Sequence, residues 1–538
     1  MAETRTDTDV VICGGGHNGL VCAFYLARAG LKVTVLERRA VAGGAAVTEE
    51  FHPGFRNSVA SYTVSLLNPT VIREMDLAGH GLRIVERKSS NFLPTDDGRY
   101  LEVGAGRTAA EVAKFSVRDA ERLDAYDRRL EAIADVLRDL VLRTPPNLAD
   151  DFDGAVVELA KSVGLGWRLS KLDLTGKRDL LALFSQSAGD WLDGWFESDP
   201  IKAVLGFDGI VGAYASPYTP GTAYVLLHHV FGEVNGKKGV WGHAVGGMGA
   251  ITQAMAKACA AEGVDVRLST PVREISTEGG RAVGVVAESG ESIRARVVVS
   301  NLHPKLTFER LVDPAALPAD FRERIARYKS GSGTFRMNVA LSELPRFACK
   351  PEAGDHLTAG IVLAPSLGYM DRAYTDARAH GWSKAPVVEM LIPSTLDDSL
   401  APPGAHVASL FCQQFAPTLP DGRSWDDHRE AAADLIVDTV DRWAPGFKAS
   451  VVGRQILSPL DLERTFGLIA GDIFHGRLSL DQLFSARPVL GHGAYRAPVK
   501  NLYLCGAGAH PGGGVTGAPG RNAAREILTD LKKKPRPN

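Results

Sequence analysis

Hydrophobic and polar positions change period several times along the chain, and each change marks an element. Val10-Val11-Ile12 is a β-branched run suited to a strand buried on both faces. Leu20, Ala23, Phe24 and Ala27 then recur at helical spacing as far as Gly30, a residue type favoured just past helix ends. Lys32 to Leu36 alternates into a second strand through Val33 and Val35. Residues 108–142 carry Leu123, Tyr126, Leu130, Ile133, Leu137 and Leu140 at the spacing of one long helix face. Short apolar runs at 264–268, 272–275, 282–287 and 292–299 predict strands, as do 331–343, 358–365, 386–393 and 404–414. Residues 501–506 read as a late strand, followed by a helix with Ala523, Ala524, Ile527, Leu528 and Leu531 on one side. A strand–helix–strand start, with strands returning far downstream, predicts an α/β fold.

Composition adds exclusions. The 538 residues are 45% hydrophobic and 23% charged, and 61 Lys+Arg against 63 Asp+Glu leave a net charge of −2. Those proportions suit a folded chain with a large core, and the charge balance argues against nucleic acid as a partner. Cys13, Cys22, Cys259, Cys349, Cys412 and Cys505 are scattered with no CxxC pair, so neither a zinc ribbon nor a redox disulfide is expected. No apolar run reaches the length of a membrane span, and a cytoplasmic protein is expected. Glycine is the unusual count, 57 residues, where about 7% is average.

The glycines cluster where a ligand would approach backbone. Gly14-Gly15-Gly16-His17-Asn18-Gly19 fits G-x-G-x-x-G between the first strand and the first helix, and Glu37 ends the second strand 18 residues after Gly19. In a dinucleotide fold Gly14 permits the tight turn, Gly16 admits a pyrophosphate and Gly19 brings helix close to strand. The helix N-terminus around His17 and Asn18 offers amides to phosphate, and Glu37 can accept from ribose hydroxyls. Glu37-Arg38 followed by Gly43-Gly44 resembles the FAD signature of the glutathione-reductase and amine-oxidase superfamily. FAD alone is the expected cofactor, because the glycine-rich stretch Gly242 to Gly249 has no clear strand before it.

Leu504-Cys505-Gly506-Ala507-Gly508-Ala509-His510-Pro511-Gly512-Gly513-Gly514-Val515 resembles the C-terminal signature of phytoene-desaturase-type flavoproteins. Gly16-His17-Asn18-Gly19-Leu20 and Gly517-Ala518-Pro519-Gly520-Arg521-Asn522-Ala523-Ala524 are similar to the subgroup named pyridine nucleotide-disulphide oxidoreductase domain-containing protein 2. The resemblance implies a Rossmann-like FAD-binding domain with an interleaved α+β substrate domain. It implies that Gly506, Gly513, Gly514 and Val515 meet the flavin and that the Val272 backbone meets the adenine. The FAD domain is expected at 1–88, 240–308 and 490–538, and the substrate domain at 89–239 and 309–489. Carotenoid desaturases carry GxxFDxGP after the FAD glycines, whereas this chain reads Gly54-Phe55-Arg56-Asn57-Ser58-Val59-Ala60-Ser61-Tyr62, a departure that counts against phytoene itself as substrate.

A flavin accepts hydride at its own N5, so the protein need mainly orient a C–H bond and exclude water. His510 in the flavin turn is read as either a ring-polarising group or a loop brace. Arg56 and Tyr62 are candidates for substrate contact, His228-His229 are expected in a core or lid, and no metal site is expected. Residues 165–232 mix Trp167, Trp191, Trp195, Phe196 and Phe207 with Arg168, Lys171, Lys177 and Arg178. That mixture suits a helical cover or subunit interface, or peripheral contact with a membrane. The expected activity moves hydride between a carbon–carbon bond of an apolar, polyene or acyl-like substrate and flavin N5, with oxygen or a quinone taking the electrons. Isomerisation or saturation by reduced flavin, amine oxidation, and a non-catalytic FAD-bound scaffold are the alternatives.

Overall fold

A computed structural model of the chain describes residues 7–104, 106–147, 166 and 169–532. The opening strand, β1 (Thr8–Cys13), lies between two parallel neighbours, β2 (Val33–Leu36) and Ser292–Ser300. All four residues of β2 are buried, so the alternation seen in the sequence gives way to a strand enclosed on both faces. Asp265–Arg267 extends the sheet beyond β2. The strand Ser292–Ser300 has two roles: its last residues pair with β1 and with Leu502–Leu504, and its first with Arg281–Ala287, which in turn pairs with Val272–Glu278. A parallel sheet and an antiparallel meander thus share one strand. The helix α1 (His17–Arg28) packs on Met248–Ala261 and Ala518–Lys532. A Cβ at Gly520 would strike the Asn18 carbonyl, so the last helix can approach α1 closely only with glycine there. Gly242–Ala244 pairs with Ile84–Glu86 in a separate ribbon, outside the parallel sheet.

The second sheet runs Val451–Leu457, Phe335–Leu341, His406–Phe415, Trp382–Leu391, Gly360–Leu363, Asn91–Pro94 and Tyr100–Val103, antiparallel except where Gly360–Leu363 meets Asn91–Pro94. One side carries the helix Trp425–Trp443 through Ala432, Ala433, Ile436 and Val440. Against Val362, Ala364, Val387 and Phe411 packs a layer of helices: Val117–Val141, Leu174–Ser185, Ala188–Trp195, Asp199–Asp208 and Thr222–Val230. The helix expected over 108–142 is two, Thr108–Ala113 and Val117–Val141, because the Ser116 side chain caps a fresh N-terminus by accepting from Asp119 N at 3.1 Å.

Trp191, Phe196 and Phe207 fill the core of that helical layer, and Val117, Leu174 and Leu181 are among its exposed apolar side chains. Lys161, Trp167 and Arg168 lie outside the described residues. Among the described residues no helix is long and apolar enough to cross a membrane.

Candidate active site

After β1 the chain turns at Gly14 with φ +98°, and α1 begins at His17 with no side chain capping its first amides. Those amides are free to meet an anion. A Cβ at Gly19 would run into the Gly14 carbonyl, and one at Gly16 would press on Asn301 Nδ2 at 2.9 Å. Gly43 N donates to Gly15 O at 2.9 Å, and Gly44 (φ +58°) lies against Gly16 Cα. The second glycine pair therefore clamps the first turn. Glu37 is 5% exposed; its Oε2 accepts from Gly15 N (2.8 Å) and its Oε1 from Arg39 N (2.9 Å). Each oxygen keeps a further lone pair for a ligand. The Arg38 head group donates to the carbonyls of Arg464 and Thr465 instead of turning to a phosphate. Arg39 pairs with Glu49 at 2.5 Å, lies 4.9 Å over the Phe466 ring and leaves Nη1 buried without a partner.

These groups open on a cavity of about 490 Å³. Gly14, Gly16, His17, Asn18, Glu37, Arg38, Gly44, Val272, Gly513, Gly514 and Val515 line it. Gly19, Gly43 and Gly506 shape it from behind, Gly506 by close approach to the Asn301 carbonyl. His17 Nε2, Asn18 Oδ1, Arg39 Nη1 and His475 Nδ1 are buried and unpartnered among the described residues, and all four residues line the cavity. Burial lowers the pKa of His17 to about 4 and that of His475 to about 3, so both rings are neutral hydrogen-bonding groups. Unpaired buried polar atoms are costly, and their convergence on an uncapped helix end fits a dinucleotide. Arg39 and His475 escaped the sequence reading; only the position of Arg39, two residues after Glu37, hinted at a role.

The same cavity is walled by Tyr62, Phe207, Asp208, Val211, Glu389 and Phe411. Tyr62 OH donates to Glu389 Oε2 at 2.5 Å, its ring stacks on Phe411 at 5.2 Å, and the Arg336 guanidinium lies 4.6 Å over it. Arg336 is fully buried and donates to Leu410 O and Ser409 Oγ, both at 2.8 Å. Burial raises the Glu389 pKa, while the Tyr62 hydrogen bond and the charges of Arg87 and Arg336 oppose the rise. Asp208, last residue of its helix, is pushed up to about 8 by burial, with Glu389 adding to the shift. Only Tyr62 of this group was a sequence candidate. The signal for the others was an ionisable residue inside an apolar strand run, as in Val387-Val388-Glu389-Met390-Leu391.

Two candidates lie elsewhere. Arg56 is exposed on the hairpin of Thr48–His52 and Phe55–Ser58, because alternation turns Phe55 and Asn57 inward and Arg56 outward. His510 does not line the cavity; its Nε2 meets Leu140 O at 3.1 Å and its carbonyl accepts from Tyr495 OH at 3.0 Å. The ring braces the glycine turn against the end of Val117–Val141, and burial lowers its pKa to about 4. A second brace is Arg487, fully buried, which donates to the carbonyls of Phe474, His475, Gly476, Arg477, Gln482 and Ala507. His228 is core, whereas His229 faces the cavity beside Trp241. Among the described residues no three His, Cys, Asp or Glu side chains are placed to hold a metal.

A model of the family described as flavin containing amine oxidoreductase matches residues 19–339. Pyridine nucleotide-disulfide oxidoreductase domain-containing protein 2 of Rattus norvegicus is 41% identical, over 98% of this chain and 94% of that protein. The chain belongs to the flavin-containing amine oxidoreductase family. Its cofactor is FAD, and it is an FAD-dependent oxidoreductase of that family with an α/β fold. A lycopene-forming phytoene desaturase of Pseudescherichia vulneris is 26% identical, over 97% of this chain and 99% of that one. Cyclohexylamine oxidase from Brevibacterium oxydans superimposes with a TM-score of 0.58 at 18% identity, covering 98% of this chain and 100% of its own, a likeness of fold.

Proposed function

We propose that this flavoprotein moves hydride between a carbon–carbon bond of a largely apolar substrate and FAD. The observation that carries the reading is the apolar wall of this cavity: Leu66 and Phe474 lie against Gly514 and Gly513, and Phe207, Val211, Phe411 and Ile473 line the same space. Bound FAD supplies the hydride acceptor, its N5 atom. Glu37 would hold the ribose hydroxyls, the amides at the start of α1 the pyrophosphate, and Gly513 to Val515 would lie along the flavin. The apolar walls orient a C–H bond by packing and keep water out of the chamber. The distant phytoene desaturase supports the choice of a carbon–carbon bond, and oxygen or a quinone would then take the electrons.

Anaerobic bleaching of the flavin absorbance tests this reading. An oxygenated polyene and a fatty acyl ester are expected to bleach it and a primary amine is not. Bleaching by the amine alone would move the reaction to amine oxidation. Retention of full colour with every probe would refute the oxidative direction.

A further inference from the structure

Phe207, Val211, Phe411, Ile473 and Phe474 give the substrate chamber an apolar side, and a carboxyl opens into it. Asp208 faces the cavity from the C-terminal end of Asp199–Asp208, and among the described residues its carboxyl has no hydrogen-bond partner. Its neighbour Phe207 stands edge-on to Phe411, 6.4 Å away, so the carboxyl emerges from an aromatic wall. Glu389, a second carboxyl on this side of the cavity, is already engaged by Tyr62. The positive charges of Arg336 and Arg87 lie behind that pair and oppose its negative charge. Glu389 therefore offers an entering ammonium group no free carboxylate.

We propose that Asp208 sets the specificity of the chamber by donating a hydrogen bond to an uncharged oxygen, a carbonyl or hydroxyl, carried by an otherwise apolar substrate. The inference rests on the hydride-transfer reading and names the substrate class within it: oxygenated, neither a bare hydrocarbon nor an amine. The titratable groups around Asp208 are Glu389, Tyr126 and His229, whose ring bonds the Asp208 backbone, and Tyr62, Arg87 and Arg336 stand around Glu389. Burial lifts Tyr62 well above the usual phenol range, lowers His229 to about 4 and lowers both guanidinium groups, which Glu389 opposes. Asp208 itself, at about 8, carries a proton to donate near neutral pH. A ketone satisfies that donor and a hydrocarbon leaves it buried and unpaired, the asymmetry by which hydrogen-bonding sites discriminate.

The test titrates FAD-loaded protein calorimetrically with 2-decanone, decane and decylamine, using wild type, Asp208→Asn, Asp208→Leu and Glu389→Gln. Flavin colour and melting temperature report that each variant is loaded and folded. At pH 7 the ketone is expected to bind about tenfold more tightly than decane, and more tightly than decylamine. Its affinity should fall about tenfold from pH 7 to pH 9 as Asp208 ionises. Asp208→Asn, whose amide still donates, should keep the preference and lose the pH dependence. Asp208→Leu should bind ketone and alkane alike; if that variant does not fold, the pH profile of Asp208→Asn decides.

Tighter binding of decylamine than of the ketone, a preference intact in Asp208→Leu, or no ketone binding overturns the assignment. So does a pH dependence that survives in Asp208→Asn and disappears in Glu389→Gln. If the ketone preference follows Asp208 while no probe ever reduces the flavin, the hydride reading falls and the binding assignment stands.

Discussion

Tyr62 holds a buried carboxylate in place with one hydroxyl. Removing it in Tyr62→Phe leaves Glu389 without its 2.5 Å donor and pushes its carboxyl, already raised by burial, further up. A carboxyl raised on folding favours the folded state below its unfolded pKa and loses that advantage as pH rises toward the folded value. The Tyr62→Phe penalty is therefore expected to be small in acid and about 1–3 kcal/mol near neutral pH, read by urea denaturation across that range. Glu37→Ala should weaken FAD retention about tenfold to a hundredfold, measured as flavin released on ultrafiltration. Unchanged retention would remove Glu37 from the ribose. The two acids differ in legibility. Glu37 was readable because its partners, Gly15 and Arg39, lie on the turns that its own spacing defines. Glu389 was not, because Tyr62 and Arg336 reach it from distant segments. Arg56 was misread because a short hairpin turns alternate residues outward.

Elements were legible where their packing demands were local. The strands Phe335–Leu341, Gly360–Leu363, Trp382–Leu391 and His406–Phe415 stood out as apolar runs because both of their faces are covered. The break before Val117–Val141 did not, because the apolar stripe continues past it and only the Ser116 cap marks the restart. Gly19 is where α1 and β1 meet most closely. Gly19→Ala drives a methyl group toward the Gly14 carbonyl and forces the helix outward. It should cost about 2 kcal/mol or more in thermal unfolding and weaken FAD retention as well. Arg487 plays the matching part for the C-terminal turn. Arg487→Leu strands six carbonyls that its guanidinium now serves, and about 3 kcal/mol or more of stability should be lost, with FAD released in the same preparations.

Across the whole molecule, the cavity draws residues from Gly14 to Val515 and from both sheets, Val272 at one and Glu389 at the other. A ligand that touches so many segments stabilises the folded chain by mass action. Holoprotein with free FAD at a thousand times its dissociation constant should gain about 4 kcal/mol over apoprotein, and the melting temperature should climb with added FAD. A melting temperature indifferent to FAD would contradict the shared cavity. The order of strands in the two sheets was not legible in the sequence. Local pattern announces that a strand exists, whereas its neighbours are chosen by long-range pairing and by the helices between them.

Synthesis of this chain runs against its sheet order. β1 leaves the ribosome first, one flank stays bare until Ser292–Ser300 arrives, and Leu502–Leu504 comes later still. At roughly 5–20 residues per second, the apolar edge of β1 waits on the order of tens of seconds for its neighbour. During that interval its unpaired backbone is an invitation to other nascent chains. The glycine turn proposed to meet FAD, Gly513-Gly514, follows that last pairing strand. The cavity that Gly14 and Gly514 both line is complete only once the segment after Leu502–Leu504 has been made.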